Sequence, residues 1–135
     1  LYDAARACGV PADRCELLEN GIDAAEYTRR QSVPEAKRRL GLPANRPVIG
    51  AVGRLSPEKG FDHLIRAVKL LADRGHDLTL VIVGEGDDRP RLERLAAELG
   101  VVGRVVLAGW QADVRGYFEA MDVFALSSLR EGLPN

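Results

Sequence analysis

Little in this chain can hold a metal ion or a disulfide framework. It has two cysteines, Cys8 and Cys15, separated by six residues, and no histidine clusters beside them; they read as free thiols. Its histidines, His63 and His76, are isolated and read as structural or solvated. No serine or cysteine sits on a recognisable nucleophile elbow, and no Ser, His and Asp spacing suggests a triad. No apolar run approaches the roughly 18 residues of a membrane helix, and no basic start leads into an apolar core, so the expected location is the cytoplasm. Neither sign of charge is in excess. Nineteen basic against 20 acidic residues leave a net charge of -1, which removes the bulk basic signature of a nucleic-acid or anionic-membrane binder. Any anion site must therefore be local.

What is present is a globular composition, 46% apolar and 29% charged over 135 residues, enough for one domain that buries about two thirds of its unfolded surface. The chain opens at Leu1 and stops at Asn135 just after a strand-to-loop transition, the pattern expected of a fragment of a longer protein. Leu1 to Cys8 reads as a short helix ended by Gly9 and Pro11, and Cys15 to Leu18 as a short strand before an Asn20-Gly21 turn. Residues 24–31 are polar and aperiodic, as in a connector. Ser32, Pro34 and Glu35 announce a helix closed by Leu40 and Gly41. Pro47 to Val52 reads as a buried strand in which Gly50 and Gly53 admit other backbone. Phe61, Leu64, Ile65, Val68, Leu71 and Ala72 mark one face of a helix. Leu78 to Val83 is a second strand, followed by a helix capped by Asp87 or Asp88 and presenting Leu92, Leu95, Ala96 and Leu99. Arg104 to Ala108 is a third strand, then comes a short helix with Val114, Phe118 and Met121 inward, then a fourth strand at Val123 to Ser127. This alternation predicts an α/β fold with a Rossmann-like parallel sheet flanked by helices.

In such sheets ligands bind beyond the carboxyl ends of the strands, and the unusual residues gather there. After the first strand, Ser56 and Pro57 fit an N-cap and first helical position, which would point free N–H groups at the rim, with Arg54 and Lys59 beside them. Two cations at a helix start form a diphosphate-sized cradle, the guanidinium a planar fork and the ammonium a point charge; the plainer alternative is a loop with two solvated cations. Gly84 and Gly86 after the second strand either let backbone approach a ligand or simply turn the chain. They do not complete a dinucleotide fingerprint, whose third glycine position holds Arg89, so NAD binding is disfavoured. Gly109 and Trp110 end the third strand, where the indole either walls a base or sugar or packs. Glu131, before Gly132, Leu133 and Pro134, is a carboxylate able to accept two sugar hydroxyls, or a solvated loop residue.

Taken in order, Asn20-Gly21-Ile22-Asp23, Gly53-Arg54-Leu55 with Glu58-Lys59-Gly60, Gly84-Glu85-Gly86, Arg104-Val105 with Gly109, and Ser128-Leu129-Arg130-Glu131-Gly132-Leu133-Pro134 resemble the C-terminal nucleotide-sugar-binding domain of retaining GT-B glycosyltransferases, often called group 1 or family 4. The resemblance runs from about Leu17 to the last residue. It implies half of a GT-B fold truncated at its C-terminus, with residues 1–45 the tail of an inter-domain connection plus a leading helix and residues 46–135 an incomplete Rossmann-like donor-binding domain. It implies a UDP- or GDP-sugar donor, an acceptor bound by an N-terminal domain through which any membrane contact would be made, and no metal. In catalytic roles it places Arg54, Lys59 and Glu131; around the donor it places Gly53, Gly84, Gly86, Gly109, Trp110, Gly132, Leu133 and Pro134. Arg54 and Lys59 would stabilise the leaving diphosphate in place of a metal ion. Glu131 matches the first glutamate of the family's Glu-x7-Glu motif, whose second would lie beyond Asn135. The alternatives are a non-catalytic phosphate- or nucleotide-binding module and a sugar-nucleotide epimerase of the same fold.

Overall fold

A computed structural model describes residues 2–16, 21–25 and 27–130 of the chain. Its centre is a parallel sheet of β1 (Val48–Val52), β2 (Thr79–Val83), β3 (Val105–Gly109) and β4 (Val123–Phe124), in the spatial order β3-β2-β1-β4. Every pairing is parallel: Val48 lies opposite Thr79, Leu80 opposite Val105 and Ile49 opposite Val123. Parallel pairing requires crossovers, and the helices supply them. β2 is buried along its whole length, and its alternate side chains serve two cores. Leu80 and Ile82 meet the layer of α3 (Phe61–Asp73) and α4 (Arg89–Glu98), whereas Val81 and Val83 meet that of α2 (Val33–Arg39) and α5 (Arg115–Ala120). This strand therefore reads as a continuous apolar run rather than an alternating one.

The helices follow their local signals. α1 (Tyr2–Ala7) stops before Gly9, whose φ of 87° only glycine adopts easily. α2 starts at the expected capping box, with Ser32 N–H donating to Glu35 Oε2 at 2.9 Å. α3 buries Phe61, Ile65 and Val68 from the predicted apolar face. In α4, Asp88 stands at the N-cap position without capping: its carboxylate accepts from Arg91 Nε and Nη2 at 2.6 and 2.8 Å instead.

Three further expectations change. The helix predicted to begin at Ser56 and Pro57 is a single 3₁₀ turn, Pro57–Lys59, and α3 starts only after Gly60. Gly60 has a φ of 61°, and a Cβ there would come within 2.4 Å of the Ser127 carbonyl, so the chain breaks helical geometry to let the end of β4 pack against it. The predicted strand from Val123 to Ser127 pairs only through Phe124, because Ser127 turns its hydroxyl to the Lys59 carbonyl at 2.8 Å. Gly50 is approached by a side chain rather than by backbone, the Met121 sulfur lying 2.2 Å from where a Cβ would be. Cys15 and Glu16 belong to no strand, while Leu17, Leu18 and Asn20 lie outside the described residues.

An ion pair that the sequence did not announce, buried on its lysine side, ties α2 to the sheet. Lys37, 3% exposed, donates its ammonium to Asp122 Oδ2 and to the Arg46 carbonyl, each at 2.6 Å. Asp122 also accepts the Val48 N–H at 2.6 Å. The leading helix is thereby fastened to the start of β1 and to the entry of β4.

Candidate functional site

The rim at the carboxyl end of β1 and β2 is stitched by backbone. Gly53 N–H donates to the Val83 carbonyl at 2.9 Å, Leu55 N–H to the Glu85 carbonyl at 2.9 Å, and Gly84 N–H to the Gly109 carbonyl at 2.8 Å. The glycines at 84 and 86 are required by contact distance. A Cβ on Gly84 would meet the Gly53 carbonyl oxygen at 2.0 Å, and one on Gly86 the Leu55 carbonyl oxygen at 2.2 Å. These glycines draw the loops after β1 and β2 together.

Above this seam lies a cleft of about 270 Å³ lined by Val52, Gly53, Arg54, Val83, Gly84, Glu85, Trp110, Gln111 and Val114. Of the residues singled out from sequence, the cleft gathers Gly53, Arg54, Gly84 and Trp110. Lys59 stands over its edge, its Cδ and Cε 3.8 Å from the position of a Cβ on Gly53. Trp110 is 71% exposed and lines the cleft, so its ring is not a core element. Gly86 and Gly109 support the seam from behind. Glu131, Gly132, Leu133 and Pro134 lie outside the described residues; the last described tie before them is the Leu129 N–H donating to the Glu58 carbonyl at 2.8 Å.

The electrostatics of the rim differ from the sequence picture in one respect. Within the turn, Lys59 N–H and Gly60 N–H are consumed by the Ser56 and Pro57 carbonyls, so no fan of open N–H groups faces the rim at Ser56. Cationic side chains are what the loop offers an anion. Arg54 Nη2 is held by Glu58 Oε1 at 2.7 Å. The Glu58 carboxyl is pulled down to about 2, first by its own backbone N–H, then by the Ser56 hydroxyl and by Arg54. The pair is exposed, with Arg54 at 72%, and exposed pairs are weakly held. A more highly charged anion can displace Glu58 and take the guanidinium fork.

Two further residues have contacts at the cleft that the sequence did not indicate. Arg89 donates to Glu85 Oε1 at 2.6 Å, to Glu93 Oε1 at 2.9 Å and to the Leu107 carbonyl at 3.2 Å. It locks a carboxylate at the lip of the cleft. Gln111 Nε2 donates to the Ala108 carbonyl at 3.0 Å, turning the chain so that Trp110 and Val114 line the same space. Among the described residues, no group of three or more His, Cys, Asp and Glu side chains is placed to hold a metal ion, and no helix is long and apolar enough to cross a membrane.

Comparison with known proteins agrees with this geometry. The sequence profile of the family described as "Glycosyl transferases group 1" matches residues 32–135. A lipopolysaccharide core biosynthesis glycosyltransferase of Rhizobium meliloti, LpsE, is 43% identical over 99 residues, covering 73% of this chain and 28% of the relative. The 2-deoxystreptamine glucosyltransferase of Streptomyces kanamyceticus is 38% identical over 118 residues, covering 82% of this chain and 30% of that protein. Among solved structures, Anabaena HepE in complex with UDP superposes with a TM-score of 0.77 at 29% identity, over 96% of this chain and 36% of HepE. The chain thus spans less than a third of the length of those two curated relatives.

Proposed function

The chain belongs to the glycosyl transferases group 1 family, and from that premise we propose that it is the donor-binding part of an enzyme that transfers a hexosyl unit, with retention, from a nucleoside diphosphate sugar to an acceptor. One observation carries this reading. The sheet order β3-β2-β1-β4 reverses direction between β1 and β4, and the loop bearing Arg54 and Lys59 sits at the carboxyl end of β1, beside that reversal. Ligands of open α/β sheets bind in the crevice at such a point. On the β2 side of that loop the cleft offers the Arg54 guanidinium with Lys59 at its edge, glycine backbone for close approach and an exposed indole for a base. The similarity to HepE, whose structures contain UDP and UDP-glucose, supports a sugar nucleotide as the ligand.

In this mechanism the bond between the sugar's anomeric carbon and the diphosphate oxygen breaks, and its electrons leave with the diphosphate. Negative charge grows beside Arg54 and Lys59, which therefore hold the transition state more strongly than the ground state and act where other enzymes use a metal ion. The family resemblance gives Glu131 the role of a carboxylate for the sugar. The acceptor is held by a second domain. Residues 1–135 by themselves are expected to bind nucleotide without turning it over, because transfer requires donor and acceptor together in a water-excluding cleft.

Trp110 is the chain's single tryptophan and lines the cleft, so its fluorescence reports occupancy directly. Titration with UDP and GDP is expected to quench it saturably, and Lys59→Ala or Arg54→Ala to weaken the quenching while Lys69→Ala leaves it unchanged. Quenching that ignores both cradle substitutions would remove the diphosphate assignment. Sugar transfer by residues 1–135 alone would remove the division of labour between domains, and loss of binding in EDTA would remove the metal-free reading.

A further inference from the structure

A second cavity, of about 450 Å³, opens on the α2 and α5 side of the molecule. It is separated from the rim cleft by residues 113–115, with Val114 lining one space and Asp113 and Arg115 the other. Four guanidiniums line it, from Arg29, Arg30, Arg39 and Arg115, against the two carboxylates of Asp113 and Glu119. Two positive charges are in excess.

Both carboxylates are already committed. Asp113 is forked by Arg115, through Nε at 2.9 Å and Nη2 at 2.8 Å. Glu119 is spent on the connector, accepting the Arg30 N–H at 2.5 Å and the Gln31 amide at 2.6 Å, while its carbonyl accepts Arg29 Nη1 at 3.2 Å. These bonds pull residues 29–31 against α5 and bring their arginines to the cavity. Arg30 acts on the Asp113 and Glu119 carboxylates at longer range, and Arg39 adds a further positive charge to the same wall. Like charges gathered around one concave space repel, and nothing in the packing of α2 on α5 requires them, since that contact is made by the apolar cluster of Ala36, Leu40 and Phe118. A dianion would turn the repulsion into attraction.

We propose that this cavity binds a small phosphomonoester, with its phosphate between Arg30 and Arg39 and a ring body against Tyr27 and Phe118. A phosphate monoester carries about −1.5 to −2 charges near neutral pH, which matches the excess, and the guanidinium fork suits its oxygens. The volume falls within the roughly 300–1,000 Å³ of small-molecule pockets. The site stands apart from the donor cleft and does not depend on the transferase reading.

The test is an amide ¹H–¹⁵N titration of the 135-residue chain at low salt with phenyl phosphate, inorganic phosphate and phenol. Phenyl phosphate is expected to move the amides of residues 29–31 and 115–119 saturably, inorganic phosphate to move them more weakly and phenol not at all, while residues 53–60 stay still. Arg30→Ala with Arg39→Ala should weaken binding about tenfold, and the paired Lys variants should restore it only in part, because a point charge cannot reproduce the guanidinium fork. Both sites are exposed, so unchanged peak dispersion separates lost binding from lost folding; should the double variant unfold, Arg39→Ala alone carries the comparison. Shifts confined to residues 53–60, or equal affinity without the arginines, would overturn the proposal. Co-sedimentation with phosphatidylcholine vesicles containing phosphatidic acid separates a lipid headgroup from a free ester. Binding to vesicles with no response to phenyl phosphate would overturn the small-molecule assignment.

Discussion

At the scale of single residues, Asp122 is the carboxylate whose loss should be felt most widely. Burial pushes its carboxyl up, but the Lys37 ammonium and the Val48 N–H outweigh that and hold it below the usual aspartate value. A depressed carboxyl stabilises the fold fully above its unfolded value, near pH 4, and that stability is lost as pH falls through the lower folded value. Asp122→Asn should therefore lower the melting temperature at pH 7, with the gap to wild type narrowing as pH falls below about 4. Removing one partner of a buried pair costs roughly 3–5 kcal/mol. Asp122 is itself 39% exposed, so solvent screening brings the expected cost to about 2 kcal/mol. A pH-independent gap would mean that Lys37 is held by the Arg46 carbonyl alone.

Arg54 and Lys59 belong to the same scale. In the transferase proposed above, alanine at either position should lower kcat by roughly 10²-fold to 10³-fold, the effect of removing one preorganised electrostatic contact, and well beyond any loss of donor affinity. Arg54→Lys should rescue only in part, because a point charge cannot reproduce a planar fork. Turnover within about threefold of wild type in both alanine variants, far below that range, would make this stretch an ordinary loop.

Elements here depend on glycines at points of contact. Gly84→Ala places a methyl 2.0 Å from the Gly53 carbonyl oxygen at a φ of 142°, so two penalties add, a backbone clash and a strained conformation. The expected loss is about 3 kcal/mol or more, read as a fall in the urea midpoint. At Gly50→Ala the nearest atoms are those of the Met121 side chain, which can move where a backbone carbonyl cannot, and the expected cost is smaller, about 1–3 kcal/mol. If the two variants lost equal stability, the rim seam would be no tighter than the core beneath it. The turn at Pro57–Lys59 obeys the same logic, because Gly60 accommodates the Ser127 carbonyl and so joins the loop after β1 to the end of β4.

On the scale of the whole molecule, the sheet ends at β4, two residues long and exposed, with Val123 at 56%, Phe124 at 49% and Leu126 at 57%. An apolar edge of this kind is a template for pairing. Sedimentation velocity on the 135-residue chain should show concentration-dependent association, and Phe124→Lys should suppress it. A monomer of unchanged sedimentation at all concentrations would argue that the edge is inert.

Much of this was legible in the chain itself. Local rules determined the order of strands and helices: Leu78 to Val83 is apolar at every position but one, α3 carries its stripe at helical spacing, and Ser32 with Glu35 marks a start that needs no partner. The placing of Arg54, Lys59, Gly84 and Trp110 on one rim followed from connectivity, since parallel strands must all present their carboxyl ends on the same side. Contacts between residues far apart in sequence were decided only by the tertiary structure. Asp122 meets Lys37 across 85 positions and Glu119 meets Arg30 across 89, and neither pairing leaves a periodic trace. The break at Gly60 belongs to this second kind. Serine, proline and glutamate in a row favour a helix locally, but the approach of the Ser127 carbonyl from β4 overrides that preference, because two backbones cannot share the space that a side chain on residue 60 would fill.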